Sequence, residues 1–357
     1  MIKVLMCGNH PSNKGGMTSV IAQLNSYDWE KKNIKMKFIP TYYPANNIIK
    51  AAYFAVAYVK IFLEFLIWKP DVVHMHMSYK GSFQRKYLIH KLCKKFNVKD
   101  IIHLHGSEFE KWYYETDENT RKKIKKLLKE CDAFFVLGEE WENSVKRIEP
   151  DTKTLIVRNA VSIPSRVVLW NKEKCQVLYM GVLIPRKGVK HLLEAFLKLK
   201  QSGRLMRMRL AIAGSGELEK DLKRLCVQYE LEDCVQFYGW IDGQEKVKLI
   251  AESQIAVLPS YNEGLPISIL EAISYGMPVV ATNVGDMSAA VKDEINGYLI
   301  EPGNAEQIAE KLELLNNQMK FEQMSRESRE LAEREFSEDK LFETIVDNYV
   351  RLSGKDK

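Results

Sequence analysis

The stretch that most restricts what this chain can become is Ser260–Gly285, SYNEGLPISILEAISYGMPVVATNVG. The apolar run Ile255-Ala256-Val257-Leu258 before it reads as a buried strand, and Val279-Val280-Ala281 near its end reads as another. Between them a polar loop, Ser260 to Gly264, leads to Pro266, a residue favoured in the first turn of a helix. Ile267, Ile269, Leu270, Ala272 and Ile273 carry that helix, and Gly276 is placed to end it. Two carboxylates flank the helix start: Glu263 in the loop, and Glu271 about a turn and a half inside. A helix N-terminus presents unpaired N–H groups and a partial positive charge, which suits a phosphate. Glu271 can accept hydrogen bonds from hydroxyls such as those of a ribose, while Glu263 faces whatever the phosphate carries. A phosphate site with two hydroxyl-binding acids fits a nucleotide-sugar. The plain alternative is a solvated loop acid and a surface helix acid.

The 357 residues leave room for two domains with filled cores, and strands alternating with helices along them predict a parallel, doubly wound α/β sheet. Six scattered cysteines without a Cys-x-x-Cys pair predict reduced thiols in a cytosolic protein, with neither a disulfide frame nor a zinc site. No secretory leader is read before Met1–Met6, which reads directly as a strand. The net charge of +6 is unevenly spread: residues 1–160 hold 27 Lys+Arg against 17 Asp+Glu, and the remainder is acidic. Such a basic half predicts an anionic partner. No nucleic-acid-binding motif accompanies the charge, so an anionic membrane face is the expected partner and nucleic acid is not.

The strand Lys3–Cys7 runs into a Gly-rich turn ending Gly15-Gly16, an entry that lets backbone N–H groups approach a ligand or simply makes a tight turn. Residues 48–68 are the most apolar stretch, interrupted by Lys50, Lys60 and Glu64, which fall within about 80° of helical arc. That narrow polar stripe predicts a mostly buried domain helix; a helix lying in a membrane surface is the alternative, and a true span the least fitting. The segment Lys80–Lys99 carries seven basic residues and no acid. His105-Gly106 ends a strand, the position where ligands collect in such sheets. His74, His76 and His103 lie on strands with no carboxylate at a metal-ligand spacing, and no metal site is assigned to them. Asn159 to about Lys174 reads as an interdomain linker. The pattern restarts at Gln176–Gly181, and Pro185-Arg186-Lys187-Gly188 then offers two adjacent cations at a strand-to-helix turn, a credible diphosphate clamp.

The spacing Glu263-x7-Glu271, with Gly-Leu-Pro after the first acid and Glu-Ala before a Gly-x-Pro-Val-Val-Ala run, resembles the signature of family-4 retaining glycosyltransferases. The resemblance implies the GT-B fold, two Rossmann-like α/β domains facing across a cleft. Its expected division is an acceptor domain over 1–163, a linker over 164–175, a nucleotide-sugar domain over 176–335, and a C-terminal helix, 336–357, returning to the first domain. It implies that Glu263 and His105 act on the donor sugar as the catalytic residues. Lys187, Gly15, Gly16, Gly264 and Leu265 would meet the donor phosphates, Glu271 the ribose, and Trp240 and Ile241 the base. The family often places an arginine directly after the first glycine of the second domain; here Val182 stands there, and Arg186 is expected to take over. The implied donor is a nucleotide-sugar, UDP-linked, transferred with retention to a saccharide or lipid-linked saccharide acceptor. Whether Glu263 attacks covalently or only orients the sugar stays open. No cofactor and no metal are expected, since the chain contains no Asp-x-Asp. The expected location is cytoplasmic, peripheral on the inner membrane face. The rivals are a phosphorylase or epimerase on the same fold, and a non-catalytic partner subunit that binds sugar nucleotide.

Overall fold

A computed structural model describes residues 1–13 and 15–355. Lys14, inside the first Gly-rich turn, lies outside the described residues. The chain forms two compact units, Met1–Arg158 with Leu341–Lys357, and Asn159–Lys340.

In the first unit, strands β1 (Ile2–Asn9), β2 (Ile34–Tyr42), β3 (Val72–Met77), β4 (Lys99–Leu104), β5 (Ala133–Val136) and β6 (Thr154–Ile156) form one parallel sheet in the order β2-β1-β3-β4-β5-β6. The second unit repeats the plan with β7 (Cys175–Met180), β8 (Met208–Ala213), β9 (Val235–Gly239), β10 (Ile255–Leu258), β11 (Val279–Thr282) and β12 (Gly297–Ile300), ordered β12-β11-β10-β7-β8-β9. Continuous apolar runs such as AFFV in β5 and IAVL in β10 are buried throughout, as strands covered by helices on both faces must be. In both sheets the strand order reverses beside the first strand. The resulting crevices, between β1 and β3 and between β7 and β10, lie outside the carboxyl ends of the strands, where such sheets take ligands.

Two expectations need correction. Residues 164–175 are not a separate linker: the Val168 N–H donates to the Tyr275 carbonyl (2.8 Å), and Arg329 Nη1 donates to the Pro164 carbonyl (2.6 Å), so the second unit runs from Asn159 to Lys340. The apolar helix Asn47–Ile67 is not mostly buried either. Only Ala57, Ile61 and Phe65 are fully buried, a single row at i, i+4 and i+8, whereas Ile48 and Ile67 are 82% and 80% exposed. With Ile49, Val56, Val59, Leu63 and Leu66, also exposed, they occupy about 100° of arc. The polar stripe was legible; what covers the other faces was not. Among the described residues no helix is long and apolar enough to cross a membrane.

The basic segment after β3 also proves less free than its composition implies. Lys86 is fully buried, its Nζ donating to Thr41 Oγ1 (2.7 Å), and burial with the neighbouring Arg85 lowers its pKa to about 7. Lys94 bridges Asp100 and Asp132, and Lys99 pairs with Asp132. The last helix, Glu338–Ser353, returns to the first unit, where Phe342 stacks on Tyr27 (3.8 Å) and the Tyr349 hydroxyl meets His74 Nδ1 (2.6 Å). All six cysteines are free and buried.

Candidate active site

The crevice between β7 and β10 collects most of the acids and cations singled out above. After β7 the chain turns through Pro185–Lys187 into the helix Val189–Gln201, and after β10 it passes through Ser260–Pro266 into the helix Ile267–Ser274. The two loops are fastened together: the Tyr261 N–H donates to the Arg186 carbonyl (2.8 Å), and Arg186 Nη1 donates to the Asn262 carbonyl (2.7 Å). Gly188, at φ +67°, lies where a Cβ would stand 2.0 Å from the Pro259 carbonyl oxygen, so only glycine permits this approach. Glu263 is buried, 7% exposed; Lys187 Nζ pairs with its Oε1, and Ser260 Oγ donates to the same oxygen (2.6 Å). An ammonium and a carboxylate, both nearly out of water, thus meet where the crevice opens. Arg186 also holds the loop backbone, a role invisible in the sequence.

The helix carrying Glu271 begins one residue later than expected, at Ile267, with Pro266 as its N-cap residue and no side chain capping it. Its first amides are left for an anion. Gly264 and Leu265 precede it; Leu265 is buried and its carbonyl accepts from Asn159 Nδ2 (2.6 Å). Glu271 is 22% exposed, and Lys246 Nζ pairs with its Oε1. Burial raises the Glu271 carboxyl pKa, and Lys246 opposes the rise. Nothing in the sequence marks Lys246, 25 positions away on another helix. After Gly239, Trp240 is 37% exposed and Ile241 is buried.

His105, Gly15 and Gly16 belong to the first unit and sit beyond the carboxyl ends of β4 and β1. Gly15 (φ +128°) is the N-cap residue of the helix Gly16–Ser26, and nothing lies within 4 Å of a Cβ built on either glycine, so the turn is open. His105 Nε2 is hydrogen-bonded to His76 Nδ1 (2.9 Å), and His74 Nε2 to His103 Nδ1 (3.2 Å). His74, His76 and His103 bring ligand-capable atoms within 4.8 Å of one another. Their rings lie nearly parallel, 13° to 31° apart. Hydrogen-bonded neutral imidazoles are the chemistry this geometry supports.

Burial pushes the His74 and His105 pKa values down to about 3 and those of His76 and His103 well below the ordinary 6.5. The unfolded chain therefore takes up protons near pH 6.5 that the folded unit refuses, and the stability this represents is complete above that pH and lost as pH falls toward 3. The thermal midpoint is expected to fall between pH 7 and pH 5, a range in which carboxylates barely titrate. His103→Asn should flatten that fall; an unchanged slope contradicts the assignment.

Residues 164–331 match the family described as glycosyl transferases group 1. Among curated relatives, an amylovoran biosynthesis glycosyltransferase of Erwinia amylovora is 26% identical over 67% of this chain and 60% of its own length. The chain spans 60–65% of the length of the first curated relatives it matches. A UDP-Gal:alpha-D-GlcNAc-diphosphoundecaprenol alpha-1,3-galactosyltransferase of Escherichia coli is 24% identical over 91% of this chain and 86% of its own length. The sucrose-phosphate synthase of Thermosynechococcus elongatus superposes with a TM-score of 0.84 at 17% identity, over 99% of this chain and 100% of that one. The fold is GT-B, two Rossmann-like α/β domains, and the residues that match the group 1 model lie in the second of them.

Proposed function

We propose that this protein is a retaining glycosyltransferase of the family-4 type that moves a hexose from a UDP-sugar to a lipid-linked saccharide in polysaccharide or glycolipid synthesis. The observation that carries the reading is the Lys187–Glu263 pair at the crevice of the second unit, beside the uncapped start of the helix Ile267–Ser274. The names of the matched relatives, one of them a UDP-galactose enzyme acting on a diphosphoundecaprenol-linked sugar, support the substrate classes.

The chemistry follows from the charges. Without donor, Lys187 neutralises a carboxylate held in a nearly dry site. An arriving diphosphate competes for the ammonium, and the leaving group's growing charge meets Lys187 and the open helix amides, donors already in place when the charge develops. Glu263, at the loop facing the sugar, then has its carboxylate available to a developing positive charge at the anomeric carbon. Glu271, with Lys246 beside it, accepts from the ribose hydroxyls.

Calorimetry on Lys187→Ala tests this. UDP should bind at least tenfold more weakly than to the wild type, about the loss expected of one charge-assisted contact, while uridine affinity changes less than about threefold. Equal losses for both ligands would remove the lysine from the phosphates.

The same reading places the first unit on the inner face of the cytoplasmic membrane. Its support is the exposed apolar face of the helix Asn47–Ile67 together with the excess of Lys and Arg in residues 1–160. Pelleting with phosphatidylglycerol vesicles should exceed pelleting with phosphatidylcholine and weaken with salt, since such charges are screened over about 8–10 Å. No pelleting with the anionic vesicles at low salt would sink the membrane placement alone.

A further inference from the structure

In the first unit a cavity of about 750 Å³ opens beyond the carboxyl ends of β1, β2 and β3, reached by Asn9, Tyr42 and Ser78. One wall is the helix Asn47–Ile67, through Lys50, Ala51 and Phe54. Three cations line it, Lys50, Lys80 and Arg85, and among the described residues no ion pair involves any of them. Lys50 and Arg85 lie over the Tyr42 ring (5.9 and 4.9 Å), and Lys80 over that of Tyr79 (5.6 Å). The Tyr79 hydroxyl itself donates to Glu108 (2.6 Å).

The position of Arg85 is the informative one. Its Nη1 lies 3.4 Å from where a Cβ of Gly81 would stand, over the first turn of the helix Gly81–Phe96, and its Nε is buried without an acceptor. That helix has Lys80 as its N-cap residue, with no acid in its first turn and no side-chain cap. Helix N-termini ordinarily attract acids and repel cations. Here a guanidinium and an ammonium gather at the positive end of a dipole, around an open cavity, with a third cation on the facing helix. The repulsion is relieved when a multiply charged anion enters.

We propose that this cavity binds the diphosphate of a prenyl-diphosphate-linked saccharide, with Arg85, Lys50 and Lys80 on the phosphates and the prenyl chain along the exposed apolar face of the helix Asn47–Ile67. The inference rests on the transferase reading, in which this molecule is the acceptor. The helix that supplies the cavity wall also supplies the uncovered apolar face, so one ligand with a doubly charged head and a long hydrocarbon tail uses both.

Titrations of the full chain with farnesyl diphosphate, farnesol and UDP test it. Farnesyl diphosphate should bind at least tenfold more tightly than farnesol, and Arg85→Gln and Lys50→Gln should each weaken it about tenfold with UDP affinity unchanged. Lys50 stands on an exposed helix, so its variant folds even if the half-buried Arg85 variant does not. Farnesyl diphosphate affinity equal to the wild type in Lys50→Gln and Arg85→Gln overturns the proposal. So does an equal loss of binding to phosphatidylglycerol vesicles, which would assign the cations to bilayer headgroups. Failure of the transferase reading shows separately, as absent UDP binding in a wild type that still binds farnesyl diphosphate.

Discussion

Glu263→Gln is expected to lower sugar transfer by about 100-fold or more while UDP affinity stays within about threefold of the wild type. The substitution keeps the side chain's size and its hydrogen bond from Ser260 but removes the charge. Loss of that charge costs most when positive charge develops at the anomeric carbon, so the effect belongs to turnover and not to ground-state binding. It also frees Lys187 from its partner, so diphosphate affinity should hold or rise slightly. Steady-state kinetics with calorimetry on the same preparation separates the two quantities. Turnover near the wild-type value would end the catalytic role of Glu263, and a parallel loss of UDP affinity would make it a binding residue.

The second large effect comes from a residue with no side chain. Gly285 sits in the turn after β11 at φ +58°, and a Cβ there would stand 2.0 Å from the Glu263 carbonyl oxygen and 2.9 Å from its carbon. No side chain rotation relieves a backbone clash, so Gly285→Ala must push the Ser260–Pro266 loop away or shift its own turn. Overpacking of this kind costs about 1–3 kcal/mol. The displaced loop carries the Glu263 carboxylate, and misplacement of a reacting group by about 1 Å costs on the order of 100-fold in rate. Turnover should therefore fall by about two orders of magnitude, with a lower thermal midpoint and normal binding of farnesyl diphosphate in the other unit. Activity within threefold of wild type, roughly 0.6 kcal/mol, would show that the loop absorbs the methyl group elsewhere.

These two residues also mark the limits of what the amino-acid sequence discloses. The order of strands and helices was legible because buried parallel strands are nearly unbroken apolar runs, as in β5, β10 and β11. That Lys187 and Glu263 would meet was half legible: each follows a strand, and loops after parallel strands gather at one end of a sheet. Their contact depends on β7 lying beside β10, a matter of strand order that no local pattern records. Lys246 could not be found, because a cation on an exposed helix looks the same whether its partner is water or Glu271. The helix Asn47–Ile67 misled for a related reason. Periodicity tells which side of a helix is apolar, and says nothing of whether protein covers it. The basic stretch after β3 was overread in the same way, since Lys86 is buried and Lys94 and Lys99 already have acids beside them.

The buried cysteines divide evenly between the two units, Cys7, Cys93 and Cys131 in the first and Cys175, Cys226 and Cys234 in the second. Burial pushes the Cys7 thiol up to about 12 and those of Cys175, Cys226 and Cys234 to about 11, so the folded chain presents little thiolate to an alkylating reagent. Modification of any of them then requires the surrounding structure to open. Each unit thus carries its own built-in chemical clock: the rate at which its three thiols are labelled, read peptide by peptide in a mass spectrometer, reports how often that half of the molecule comes apart while the other half stays folded.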